Sequence, residues 1–128
     1  MENARARIIV VDDEDLVREL MALYLKSDRR FLIDEAADGF TAVSKTMMKD
    51  YNLAILDIAM PHFNGLEAMK HMRINCPNLK FIIVTGMMDK DLLRECDSLG
   101  CRVIRKPIEK KTLLDAVYST LGKELGAA

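Results

Sequence analysis

The chain has no tryptophan and only three prolines, and aromatic residues make up just 5% of it. Charge of either sign is not in excess, since 19 basic residues face 20 acidic ones for a net charge of −1. Without a basic surplus there is no electrostatic footprint for nucleic acid or for an anionic membrane. No apolar run approaches the ~20 residues that a bilayer span requires. The opening Met1-Glu2-Asn3-Ala4-Arg5-Ala6-Arg7 lacks the long apolar region of a secretory signal. The expectation is a cytoplasmic protein that binds neither nucleic acid nor membrane directly. Cys76, Cys96 and Cys101 cannot all pair, and their spacing fits no metal motif. They read as reduced, buried thiols. His62 and His71 have no ligand cluster beside them and read as exposed.

What the chain does have is short apolar runs at regular intervals. At 128 residues, half of them hydrophobic, it can bury one sizeable core. A single domain over 1–128 is expected, its core running from about Arg7 to Leu121. Five runs read as strands: Ile8 to Val11, Phe31 to Ile33, Leu53 to Leu56, Phe81 to Val84, and Val103-Ile104. Helical stripes lie between them. The first carries Leu16, Leu20 and Tyr24 beside Val17, Met21 and Leu25, with Glu14 and Asp15 at its positive dipole end. Ala42, Val43, Thr46 and Met47 mark the second, and Leu66, Met69 and Met72 the third. Leu92, Leu93, Cys96 and Leu99 mark the fourth, which Gly100 closes as a left-handed cap. Leu113, Leu114, Val117, Tyr118 and Leu121 mark the last. The methionines between Met21 and Met88 read as core filling. Strict alternation of strand and helix implies a doubly wound α/β fold, a mostly parallel sheet with helices on both faces.

The polar residues that interrupt this pattern share one location. Asp12-Asp13 follows the first strand, Asp57 the third, Thr85 the fourth and Lys106 the fifth. In a parallel sheet all carboxyl ends lie on one edge, where such folds bind ligands. Three carboxylates beside one lysine would repel each other if buried together. A hard divalent cation resolves that conflict, and Mg²⁺ accepts carboxylate and phosphate oxygens while keeping some waters. A carboxylate can also act as nucleophile and form an acyl phosphate. Asp57 is the candidate, because it stands alone at the end of an apolar run while Asp12-Asp13 suits a metal.

These residues, in this order, resemble the receiver domain of response regulators in two-component signalling. The resemblance rests on Asp12-Asp13, on Asp57-Ile58-Ala59-Met60-Pro61 with Gly65, on Thr85-Gly86 and on Lys106-Pro107. It covers the chain from about Arg7 to Leu121 and implies the strand order 2-1-3-4-5. It implies that Asp57 accepts a phosphoryl group from a sensor histidine kinase or a histidine phosphotransfer protein. Asp12, Asp13 and Asp57 would then hold Mg²⁺ together with the backbone carbonyl of Ala59. Lys106 would pair with the phosphoryl group, Thr85 would move to hydrogen-bond it, and the Lys106-Pro107 peptide would be cis. The fourth helix, fifth strand and fifth helix would form the output face, also a candidate homodimer surface. Such a domain promotes its own phosphorylation and dephosphorylation but is not a conventional turnover enzyme.

Three features depart from that pattern. Val103 stands where the family usually has an inward-turning Tyr or Phe, so the usual coupling from the threonine is altered. The Gly100-to-Lys106 connection is about one residue short, with Cys101 in place of a small alanine. Ala59 and Met87, two residues beyond Asp57 and Thr85, have no polar side chain to orient a water. That implies slow self-dephosphorylation. The alternative is a degenerate receiver that binds partners without phosphorylation. A dehalogenase-type hydrolase would need a second Asp where Ala59 stands, and a flavin-binding domain would need a phosphate loop that does not follow the first strand. The sequence names neither the kinase nor the downstream effector.

Overall fold

The computed structural model describes residues 5–60, 64–86 and 90–125. Ten elements alternate: β1 (Ala6–Val11), α1 (Asp15–Lys26), β2 (Phe31–Ala36), α2 (Gly39–Met48), β3 (Leu53–Asp57), α3 (Gly65–Asn75), β4 (Lys80–Thr85), α4 (Lys90–Ser98), β5 (Arg102–Arg105) and α5 (Lys110–Leu121). A short 3₁₀ turn, Gly122–Leu125, follows. The strands form one sheet in the order β2-β1-β3-β4-β5, and every pairing is parallel. Fold class and strand order are as expected.

The period-two pattern of the central strands explains both faces. Ile9, Val11, Ala54, Leu56, Phe81 and Ile83 point toward α2, α3 and α4, where Met69, Met72 and Cys96 meet them. Ile8, Val10, Leu53, Ile55, Ile82 and Val84 point the other way, toward Met21, Leu25, Leu113, Val117 and Leu121 of α1 and α5. All five residues of β3 are buried, so the strand carrying Asp57 has no solvent face.

Caps set where the helices begin and end. Asp38 Oδ1 accepts the Thr41 N–H at the start of α2, and Asn64 Oδ1 accepts the Leu66 N–H at the start of α3. At the end of α4 the Cys101 N–H donates to the Cys96 carbonyl and the Gly100 N–H to the Asp97 carbonyl. Gly100 has φ of +72°, the left-handed cap expected of it.

Several packing expectations need correction. Leu16 is 82% exposed and Leu20 43%, while Met21, Ala22 and Leu25 are the buried residues of α1. That helix carries more apolar residues than its single sheet-facing stripe can bury. Met47 and Met48 are exposed at the end of α2, so core filling does not account for every methionine. Cys76 and Cys96 are buried, whereas Cys101 is only half-buried. His71 is exposed, and Pro61, His62 and Met87 lie outside the described residues. Among the described residues, no helix is long and apolar enough to cross a membrane.

Candidate functional site

The register of the sheet decides which polar residues meet. Val11 pairs with Leu56, so Asp12, next along, comes level with Asp57 at the end of β3. On the other side Asp57 pairs with Val84, and Thr85 pairs with Arg105, the residue before Lys106. Asp12, Asp57 and Thr85 are all buried, with exposures of 0, 2 and 0%. Asp13 is exposed at the rim, yet one carboxylate oxygen from each of Asp12, Asp13 and Asp57 lies within 4.8 Å of the others. The five expected residues converge on one edge.

Lys106 reaches into this cluster from beyond β5. Its Nζ donates to Asp57 Oδ2 at 3.1 Å and to Glu14 Oε1 at 2.9 Å. It also lies 3.0 Å from Asp12 Oδ2, close enough for ion pairing but off the line of a hydrogen bond. Among the described residues, that oxygen is buried without a hydrogen-bond partner. The other oxygen, Asp12 Oδ1, accepts the Glu14 N–H at 2.9 Å. Asp57 Oδ1 accepts the Ala59 N–H at 3.0 Å, so among the described residues each oxygen of Asp57 has one donor. The Lys106 N–H donates to the Thr85 carbonyl at 3.0 Å, which joins two site residues through the backbone. The Lys106-Pro107 peptide is cis, as the resemblance implied.

Charge in the cluster is out of balance. Burial pushes the Asp57 carboxyl above its ordinary range, the charge of Asp12 pushes it further, and Lys106 offsets this only in part. For Lys106, burial works against the ammonium, but hydrogen bonding to Glu14 and the nearby Asp12 and Asp57 outweigh it and hold its pKa up. Three clustered carboxylates, with the buried Asp12 Oδ2 met by the Lys106 ion pair but by no hydrogen bond among the described residues, could hold a hard divalent cation. The residues fit such an ion, with Asp12, Asp13 and Asp57 as ligands.

Two residues of this region are not evident from strand-end logic. Arg18 of α1 donates from Nη1 to the Asp12 carbonyl at 2.9 Å and from Nε to Glu35 at 3.2 Å, and its Nη2 pairs with Asp15 at 2.8 Å. It braces the acidic pair from behind. Glu14 looks in sequence like a residue placed for the helix dipole, whereas its side chain goes to Lys106. Ala59 is exposed at the mouth. Val103 is half-buried and pairs with Ile83, two residues before Thr85, packing on the α3–α4 side of the sheet.

Comparison with known proteins gives one consistent answer. The family described as response regulator receiver domain matches residues 8–118. The protein CcdB of Bacillus subtilis is 32% identical over 117 residues, covering 91% of this chain and 98% of its own. The chemotaxis protein CheY of Treponema pallidum is 30% identical over 118 residues, covering 90% and 82%. A CheY-like receiver domain from Methanospirillum hungatei superposes with a TM-score of 0.87 at 24% identity, covering 94% of this chain and 97% of that one. That last likeness speaks for the fold alone.

Proposed function

Because the chain belongs to the response regulator receiver domain family, we propose that Asp57 is its phosphoacceptor in a two-component pathway. The observation that carries this is the Asp57 carboxylate: buried, charge-frustrated beside Asp12, and held by one donor on each oxygen. The donor is a phosphohistidine on a sensor kinase or a histidine phosphotransfer protein. An oxygen of Asp57 attacks the phosphorus, the P–N bond breaks, and its electron pair returns to the imidazole, which takes up a proton. The product is an aspartyl phosphate and a neutral histidine.

The chain's own residues supply the surroundings of that step. The Ala59 N–H and the Lys106 ammonium orient the carboxylate, and Lys106 meets the charge that gathers on the phosphoryl oxygens. Thr85 hydrogen-bonds one of those oxygens, and a drawn-in Thr85 shifts an equilibrium between two arrangements of the output face. Asp12, Asp13, Asp57 and the Ala59 carbonyl would hold Mg²⁺, which would supply positive charge against the negative charge of the site. The output face is built from α4, β5 and α5, which also serves for a homodimer. The chain 1–128 forms one receiver domain, which we place in the cytoplasm, promoting its own phosphorylation and its loss without general turnover.

An acyl-phosphate donor with Mg²⁺ tests this reading. One phosphoryl group per chain is expected on the wild type, and none on Asp57→Ala or Asp57→Asn. Label that survives both substitutions overturns Asp57 as acceptor. A wild type that takes no label while still binding a partner favours the degenerate, phosphorylation-independent receiver, a reading that Val103 keeps in play.

A further inference from the structure

We infer that Glu14 is a positioning residue, one that tethers the Lys106 ammonium before phosphorylation and yields it to the incoming phosphoryl group. The inference rests on the phosphoacceptor reading and concerns how that site is held at rest. Glu14 occupies the N-cap of α1, yet its side chain makes no capping hydrogen bond. Glutamate is also not among the residues favoured there, which are Ser, Thr, Asp and Asn. The side chain instead crosses to Lys106, with 2.9 Å between Oε1 and Nζ, the shortest of the three carboxylate contacts to that ammonium. Its backbone is pinned for this reach, because Asp12 Oδ1 accepts the Glu14 N–H.

The three carboxylates around Lys106 are not equivalent. Asp12 and Asp57 are buried and fixed by the strands, while the Glu14 side chain is 60% exposed. Among the described carboxylates around Lys106, it alone can swing into water at little cost. An ammonium has three N–H donors, and Glu14 and Asp57 engage two of them. A phosphoryl group on Asp57 brings further oxygens to the same ammonium and further negative charge to the mouth where Glu14 sits. The exposed carboxylate is therefore the one displaced. Until then it occupies an N–H of Lys106 that the phosphoryl group must take over.

The test compares the wild-type 128-residue chain, Glu14→Gln and Glu14→Asp, with Glu19→Gln, an exposed charge elsewhere on α1, as control. The aspartate keeps the charge but is one methylene too short for the present contact. Three quantities are read: phosphorylation rate by acetyl phosphate, Mg²⁺ affinity, and the rate at which an acylating reagent modifies Lys106 without any donor. Both Glu14 variants should phosphorylate roughly two- to fivefold faster, in line with loss of a half-exposed ion pair. Both should also expose Lys106 to faster acylation, leave Mg²⁺ affinity unchanged, and differ from Glu19→Gln, which behaves as wild type. If Glu14→Asp matches wild type while Glu14→Gln is faster, the effect is one of charge and the tether is wrong. A large loss of Mg²⁺ affinity makes Glu14 a metal ligand and overturns the inference. A wild type that takes no phosphoryl group refutes the functional reading instead, and Lys106 acylation then still decides the tether.

Discussion

Gly65 packs backbone to backbone against Ile58: a Cβ added at Gly65 would stand 2.6 Å from the Ile58 Cα and 2.7 Å from the Asp57 carbonyl oxygen. The Gly65 N–H also donates to the Ile58 carbonyl at 3.2 Å, so the start of α3 is seated on the end of β3. Gly65→Ala has no flexible neighbour to push aside and must move the backbone that carries Asp57. Denaturant unfolding should show a loss of roughly 1–3 kcal/mol, the usual cost of overpacking. Phosphorylation should slow at the same time. A folded Gly65→Ala with unchanged stability would mean that the strand end is softer than this contact implies.

Asp57→Asn should make the metal-free protein more stable. The substitution keeps the shape of the side chain while removing a buried charge that Asp12 also opposes. Thermal melts in chelator should show Tm higher by roughly 2–5 °C than wild type. Adding Mg²⁺ should raise wild type in proportion to log concentration above its Kd, and raise Asp57→Asn less. A variant less stable than wild type in chelator would mean that the Lys106 hydrogen bond outweighs the repulsion.

The lifetime of the phosphorylated state should depend on Ala59. This residue is exposed at the site mouth, and its methyl group can orient no water. Timing the loss of aspartyl phosphate should show slow decay in wild type and faster decay in Ala59→Asn, whose amide can hold a water near phosphorus. Rapid decay in the wild type would remove the basis for this expectation.

Far from that edge, Asp28 ties the α1–β2 turn to α5. Arg30 Nη2 meets Asp28 Oδ2 at 2.7 Å, and the Tyr118 hydroxyl donates to the same oxygen at 3.0 Å. The Arg30 hydrogen bond leads in drawing the Asp28 carboxyl from 3.8 down to about 2. A carboxyl depressed in the fold stabilises above its unfolded pKa and ceases to do so as pH falls through the folded one. The contribution is therefore complete above about pH 4 and lost by about pH 2. Asp28→Asn should lower Tm at neutral pH by roughly 2–4 °C and flatten the acid limb between those values. Equal acid limbs in the two proteins would show that the Arg30 pairing is solvent-screened to nothing.

Much of this was legible from strand ends. An apolar run that ends in polar residues places them at the carboxyl edge whatever the details of packing, which is why Asp12, Asp57, Thr85 and Lys106 could be brought together from the sequence. Side-chain direction on helices was less legible. Leu16, Leu20 and Leu23 of α1 sit among apolar neighbours on nearly every side, so periodicity could not say that Met21 and Leu25 face the sheet. Glu14 and Arg18 escaped for a different reason. An acid in the first turn of a helix and a base on its next turn already satisfy local electrostatic rules. Their partners, Lys106 just past β5 and Glu35 in β2, are distant in the chain, and only the sheet order brings them near.

The hydrogen bond from the Lys106 N–H to the Thr85 carbonyl makes these two residues one mechanical part. Any shift of the β4 end that brings Thr85 toward the acceptor carries the lysine main chain along with it. The Thr85 hydroxyl then moves with the strand end from which Lys106 already reaches Asp57. Substitutions at Thr85 and Lys106 should accordingly fail to add in a double-mutant cycle on phosphorylation, the pair costing less than the sum of its halves. The two side chains proposed to meet the phosphoryl group share one backbone link, a single jaw with two teeth.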